Sequence, residues 1–202
     1  MKKIIVVGAT GRLGRVVVSG LKDYEVIRAG RSGPDLKIDA LDFESVSDVF
    51  ASVGIFDGLI SCIGGTPFKT FEELTMEDFA LGLSKKCFSQ LNLAKAAIPF
   101  LSDNGSITLT SGIIGDEPIL AGSCAAAANG ALNMSVSTLA AEYAGRLRIN
   151  VVSPSIIENS VEDYGMLFDG FEPTSEKRII EAYRRTISAP ISGRVLRQTR
   201  SL

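Results

Sequence analysis

The sequence predicts an α/β fold: a doubly wound parallel sheet of about seven strands with helices on both faces. Three observations carry this reading. Short apolar runs rich in β-branched residues recur along the chain. The segments between them are long enough for the crossover helices that parallel strands require. The first run leads directly into a glycine-rich turn, Gly8-Ala9-Thr10-Gly11-Arg12-Leu13-Gly14.

Taken in order, the expected strands are Lys3–Val7, Glu25–Ala29, Leu36–Ile38, Gly58–Cys62, Ser106–Leu109, Leu147–Val152 and, as the weakest signal, Arg194–Leu196. The helices expected between them are Arg12–Leu21, Phe43–Val53, Thr75–Leu101, Ser123–Tyr143 and Ser175–Ile187, with Asp78 and Asn104 among the boundary signals. The helix holding Cys124-Ala125-Ala126-Ala127-Ala128-Asn129-Gly130-Ala131 has almost no side-chain bulk, so another element can approach its backbone closely, within the core or across a dimer interface. No repeat or linker divides the 202 residues, and a single domain over 1–202 is expected.

Composition narrows the function. A net charge of −2 gives no basic footprint for nucleic acid and no polybasic patch for a membrane surface. No apolar run approaches the ~18 residues of a membrane span, and the start of the chain does not read as a secretory signal, so a cytoplasmic protein is expected. Three widely spaced cysteines, Cys62, Cys87 and Cys124, suggest neither a disulfide framework nor a zinc site, and no metal is expected. The chain has no histidine, which excludes His-based acid–base catalysis and Ser-His-Asp triads. Proton chemistry here must use Lys, Tyr, Ser, Cys, a carboxylate or water.

The glycine turn points to a dinucleotide. It follows a strand and opens a helix within a βαβ unit of about 30 residues. Gly8 permits the tight turn, Gly11 lets backbone approach phosphate, Gly14 lets the helix pack on the strand, and the Arg12-Leu13 start of that helix aims free N–H groups at a pyrophosphate, beside Thr10. NAD-binding domains of this type place an acid at the end of the second strand, on the ribose 2′-hydroxyl. This chain has Ala29-Gly30-Arg31-Ser32-Gly33 instead. Arg31 and Ser32 suit a 2′-phosphate, and Arg12 adds a second positive charge, so the expected cofactor is NADP(H).

The order of these features resembles the short-chain dehydrogenase/reductase family over essentially the whole chain. Asp39 matches the family's adenine-contacting aspartate, and Ile60-Ser61-Cys62-Ile63-Gly64 stands at its Asn-Asn-Ala-Gly segment, which implies cofactor contacts at Ile63 and Gly64. Arg148-Ile149-Asn150-Val151-Val152-Ser153-Pro154 is similar to the sixth strand, and Ile191-Ser192-Gly193-Arg194-Val195-Leu196 to the last. The resemblance implies a Rossmann domain acting on a small-molecule substrate, a homodimer or homotetramer, and a short substrate-side cap over 155–190.

The family's catalytic groups are replaced. Reckoned back from Pro99, its fourth-helix asparagine falls on Lys86, its serine on Gly112 beside Ser111, and its Tyr-x-x-x-Lys pair on Ala125 and Asn129. Two readings stand. In one, the chain is an NADP(H)-dependent oxidoreductase acting on a small carbonyl or activated alkene. Lys86 and Asn129 then hold the lysine and asparagine with places exchanged, and Ser111 or Thr110 binds a substrate oxygen; Tyr164 and Tyr183 are outside candidates for the acid. In the other, the domain is a catalytically lapsed NADP(H)-binding sensor or interaction module. A purely structural role would leave the glycine turn and Arg31 without an account.

Overall fold

A computed structural model of the chain describes residues 1–199. The strands are β1 (Lys3–Val7), β2 (Glu25–Gly30), β3 (Leu36–Lys37), β4 (Phe56–Ser61), β5 (Leu101–Thr110), β6 (Arg148–Pro154) and β7 (Val195–Gln198). They form one sheet in the order β3-β2-β1-β4-β5-β6-β7, with every neighbouring pair parallel. The α-helices are α1 (Arg12–Ser19), α2 (Phe43–Val53), α3 (Met76–Gly82), α4 (Ser89–Ala97), α5 (Ser123–Glu142), α6 (Val161–Tyr164) and α7 (Glu176–Ser188).

The strands alternate apolar side chains between two layers, as a pleated backbone requires. Ile4, Val6, Ile60 and Val152 face α1 and α7, meeting Val17, Ile179 and Tyr183. Ile5, Val7, Leu59, Leu109 and Val151 face the opposite layer, with Val46 and Phe50 of α2, Leu93 of α4 and Leu132 and Val136 of α5. Each such fully buried side chain contributes about 1.5–3 kcal/mol, and most are central enough to be walled on every side.

Local chemistry starts three of the helices. The Asp42 carboxylate accepts the Ser45 N–H, Thr75 and Asp78 form a capping box, and Ser175 caps the Arg178 N–H. By contrast α1 and α5 begin on Gly11 and Gly122 with no side-chain cap, so their leading N–H groups are left for another acceptor.

Two elements differ from the sequence expectation. The helix expected over Thr75–Leu101 is broken: a π-helical segment, Leu83–Phe88, separates α3 from α4, and the Ser89 N–H reaches back to the Ser84 carbonyl. Strand β5 starts at Leu101, which pairs with Phe56 before the register shifts; Asn104, at φ 58°, takes up the irregularity in a conformation asparagine tolerates better than most residues. Among the described residues, no helix is long and apolar enough to cross a membrane.

Candidate active site

The strand order reverses between β1 and β4, and open parallel sheets bind ligands in the crevice at the carboxyl ends of strands at such a point. β1 ends at Val7, level with Ala29 of β2 and Ser61 of β4. Gly8 donates its N–H to Ala29 at 2.8 Å and turns at φ 82°; a Cβ there would lie 2.7 Å from the Ile63 side chain and 2.8 Å from the Cys62 carbonyl. Gly14 meets a harder limit, since its Cβ would fall 2.0 Å from the Gly8 carbonyl oxygen. Only glycine fits either position, and the result is a cradle of bare backbone facing the uncapped start of α1.

At the end of β2 the two arginines are used differently. Arg28 is held by Asp35 through paired bonds of 2.9 and 2.8 Å. Arg31 and Ser32 are exposed, and Arg31 has no ion pair among the described residues. No carboxylate stands beside it in Gly30-Arg31-Ser32-Gly33. Asp39 is exposed after β3, its carboxylate accepting the Leu41 N–H. Thr10 and Gly64 are exposed on the same rim. Arg12 is committed elsewhere: its guanidinium pairs with the Asp163 carboxylate on α6.

Lys86 reaches the rim from the π segment. Its stem packs so closely on Gly64 that a Cβ there would lie 2.5 Å from the Lys86 Cδ. The side chain is half-buried and has no carboxylate partner among the described residues. Burial pulls its pKa from the usual lysine value down to about 8, with the neighbouring Cys62 opposing the shift weakly.

Beneath it lies a closed chain of hydrogen bonds. The Thr110 hydroxyl donates to the Ser61 carbonyl, so the Tyr183 phenol, 2.6 Å away, must donate to Thr110. Cys62 lies beside the same phenol, and burial pushes its thiol up to about 12 and the phenol well above its ordinary value. The Thr110 and Tyr183 protons are both committed, and Tyr183 is fully buried. Tyr183 and Thr110, both raised by the sequence as groups that meet substrate, therefore face inward on the α7 side of the sheet. Sequence reasoning missed Gln90 altogether: fully buried on α4, it brackets the backbone of Thr110.

Across the rim, Ser111 follows β5 with its hydroxyl buried and unpaired. The Asn129 amide of α5 lies against Gly112, 3.4 Å from where a Cβ would stand, and its Oδ1 is unpaired too. Ala125, one turn earlier on α5, is buried in an apolar cluster with Ile113 and Ile114, closed by Phe68, Phe168 and Phe171. Tyr164 is half exposed, its ring 6.2 Å from that of Phe68. Within the expected cap, residues 158–171 lie over this cluster, whereas α7 belongs to the sheet layer with α1. No group of three or more metal-ligating side chains is gathered among the described residues.

Residues 25–187 match the family model described as enoyl-(acyl carrier protein) reductase, a short-chain dehydrogenase model. The chain belongs to the short-chain dehydrogenase/reductase family. Among solved structures, this family member is similar to the protein lin1944 from Listeria innocua, 36% identical with a TM-score of 0.93 over 98% of this chain and 99% of that one. It shares its fold with a small-chain dehydrogenase solved in complex with NADPH, 24% identical with a TM-score of 0.86 over 97% and 95% of the two chains. A tropinone reductase homolog of Arabidopsis thaliana is 35% identical over 56% of this chain and 43% of its own length. The match spans about half the length of this and the next such relatives.

Proposed function

We propose that this family member is an NADP(H)-dependent oxidoreductase, acting on a small carbonyl or activated alkene, in which Lys86 replaces the missing tyrosine as proton donor. The observation that carries the reading is the placement of Lys86: a half-buried ammonium with no carboxylate partner among the described residues, at the ligand rim, poised to titrate near pH 8. A general acid works best with a pKa near the working pH, and such a group contributes about 10²–10⁴-fold.

The residues present fit the cofactor. Gly8, Gly11 and Gly14 make a cradle that a Cβ would fill, and the N–H groups of Leu13 and Gly14 at the start of α1 would hold the pyrophosphate. Arg31 and Ser32, with no acid beside them, would hold a 2′-phosphate, and Asp39, Ile63 and Gly64 would line the adenine and ribose side. The same fold holds NADPH in the small-chain dehydrogenase. Bound here, NADPH supplies the hydride.

The chain's own groups do the rest. Ser111 donates its free hydroxyl to the substrate oxygen, and Lys86 gives that oxygen a proton as negative charge develops there. Asn129, at the position of the family lysine, would offer its amide to the ribose hydroxyls. The apolar cluster around Ala125 excludes water from the reacting atoms. The alanine-rich α5 suits close packing in a homodimer or homotetramer.

The test is NADPH consumption over a panel of aldehydes, ketones, quinones and enones, followed from pH 6 to 10. Reduction needs the ammonium, so kcat falls as pH rises through about 8, and Lys86→Ala removes that limb with a loss of at least 100-fold. Unchanged kinetics in Lys86→Ala would take the lysine out of the mechanism. Tight NADPH binding with no turnover of any compound would favour the sensor.

A further inference from the structure

The π segment that carries Lys86 is tied to the end of β5 by one buried side chain. Gln90 stands four residues after Lys86, in the first turn of α4, and is fully buried. Its Nε2 donates to the Lys86 carbonyl at 2.8 Å and to the Thr110 carbonyl at 2.8 Å, while its Oε1 accepts the Thr110 N–H at 2.9 Å. Two backbone acceptors and one backbone donor leave the amide a single orientation, because turned over it would set its oxygen against both carbonyls.

The place of these bonds gives them a purpose. The pairing of β4 with β5 ends at Ile60 and Thr108, so the β4 side of Thr110 has no strand neighbour. On the other side β6 continues, and the Ser111 N–H donates to Val152 at 3.0 Å. Gln90 supplies the missing neighbour, and with the same amide grips the carbonyl of Lys86. A π-bulge adds one residue to a helical turn and is rare, and regular α-helix is the alternative that its surroundings must exclude. Relaxation here would turn Lys86 away from Gly64 and the rim.

We propose that Gln90 is a positioning residue: it clamps the lysine-bearing π segment onto the end of β5, so that Lys86 and Ser111 converge on one substrate atom. This rests on the role given to Lys86 above. A residue that only satisfied the strand end would do so without the bond to Lys86, and the two cases separate by experiment.

Gln90→Met keeps length and volume but removes all three bonds. The amine is followed directly, by the pH titration of the ¹³C-methylated Lys86 resonance assigned by its absence in Lys86→Ala. Kinetics and NADPH affinity are measured in the wild-type and Lys86→Ala backgrounds. If Gln90 positions the lysine, the midpoint near 8 moves up toward an ordinary lysine value. NADPH affinity then stays within about twofold, kcat falls roughly tenfold, and the same change in Lys86→Ala costs less than about twofold, as expected of coupled residues.

An unmoved titration, or equal losses in both backgrounds, overturns the proposal and leaves Gln90 a structural residue. Should Gln90→Met fail to fold, Gln90→Asn carries the same readouts, since it stays neutral and is too short to bond Lys86 and Thr110 together. If Lys86→Ala itself retains full activity, the reading of the lysine fails, while the titration still reports whether Gln90 places the amine.

Discussion

Arg31 and Arg28 stand three residues apart at the end of β2, and only one of them is free. Arg28 spends its guanidinium on Asp35, whereas Arg31 is exposed and unpaired among the described residues. An exposed, unpaired side chain contributes little to folding, so its removal isolates ligand binding. A charge-assisted hydrogen bond to phosphate is worth about 1.5–3 kcal/mol, or roughly 10–150-fold in affinity. Arg31→Ala should therefore weaken NADPH by that factor in a fluorescence titration, leaving NADH and the thermal midpoint unmoved; equal losses for both nucleotides would remove Arg31 from 2′-phosphate recognition. The constraint on Gly8 and Gly14 was legible because local backbone geometry governs it, as was the exposed position of Arg31 after a strand. The chain from Cys62 through Tyr183 to Thr110 was not legible, since Thr110 and Tyr183 lie 73 residues apart and no periodicity reports which side chains a fold brings together.

At the scale of elements, the continuous helix read over Thr75–Leu101 hid the π segment that carries Lys86. Apolar spacing cannot separate one π turn from the α-helix around it, because a single added residue shifts the apolar stripe less than the scatter in its width. The cap was visible only as a segment without a motif, and its contact with the glycine turn depends on a fold-level approach of residues 151 apart. That contact, Arg12 to Asp163, would set α6 in competition with a cofactor phosphate for one guanidinium. Both groups are about half exposed, and such pairs are worth about 0–1 kcal/mol. Asp163→Asn should release Arg12 toward the pyrophosphate and tighten NADPH binding by up to about fivefold, an effect that fades with added salt. Affinity unchanged at low ionic strength would show that Asp163 does not compete.

For the whole molecule, what was legible followed from connectivity. Strand, crossover and strand, repeated, leave few arrangements, so a seven-stranded parallel sheet could be read before any contact was known. The same architecture makes ligand binding a global event. The proposed cofactor would touch the turns after β1, β2, β3 and β4 and the start of α1, and those elements share one sheet and two continuous cores. A ligand that bridges them stabilises the cooperative unit rather than one loop. At a concentration 100 times its dissociation constant it adds about 2.7 kcal/mol. For a chain of this size each kcal/mol raises the melting temperature by about 2–4 °C, so NADPH should raise it by roughly 5–11 °C in a single unchanged transition. NADH at the same concentration should shift it far less, because Arg31 would find no phosphate. A rise confined to a partial transition would mean that the rim is not one unit, and no rise with either nucleotide up to millimolar levels would remove the cofactor from the proposal.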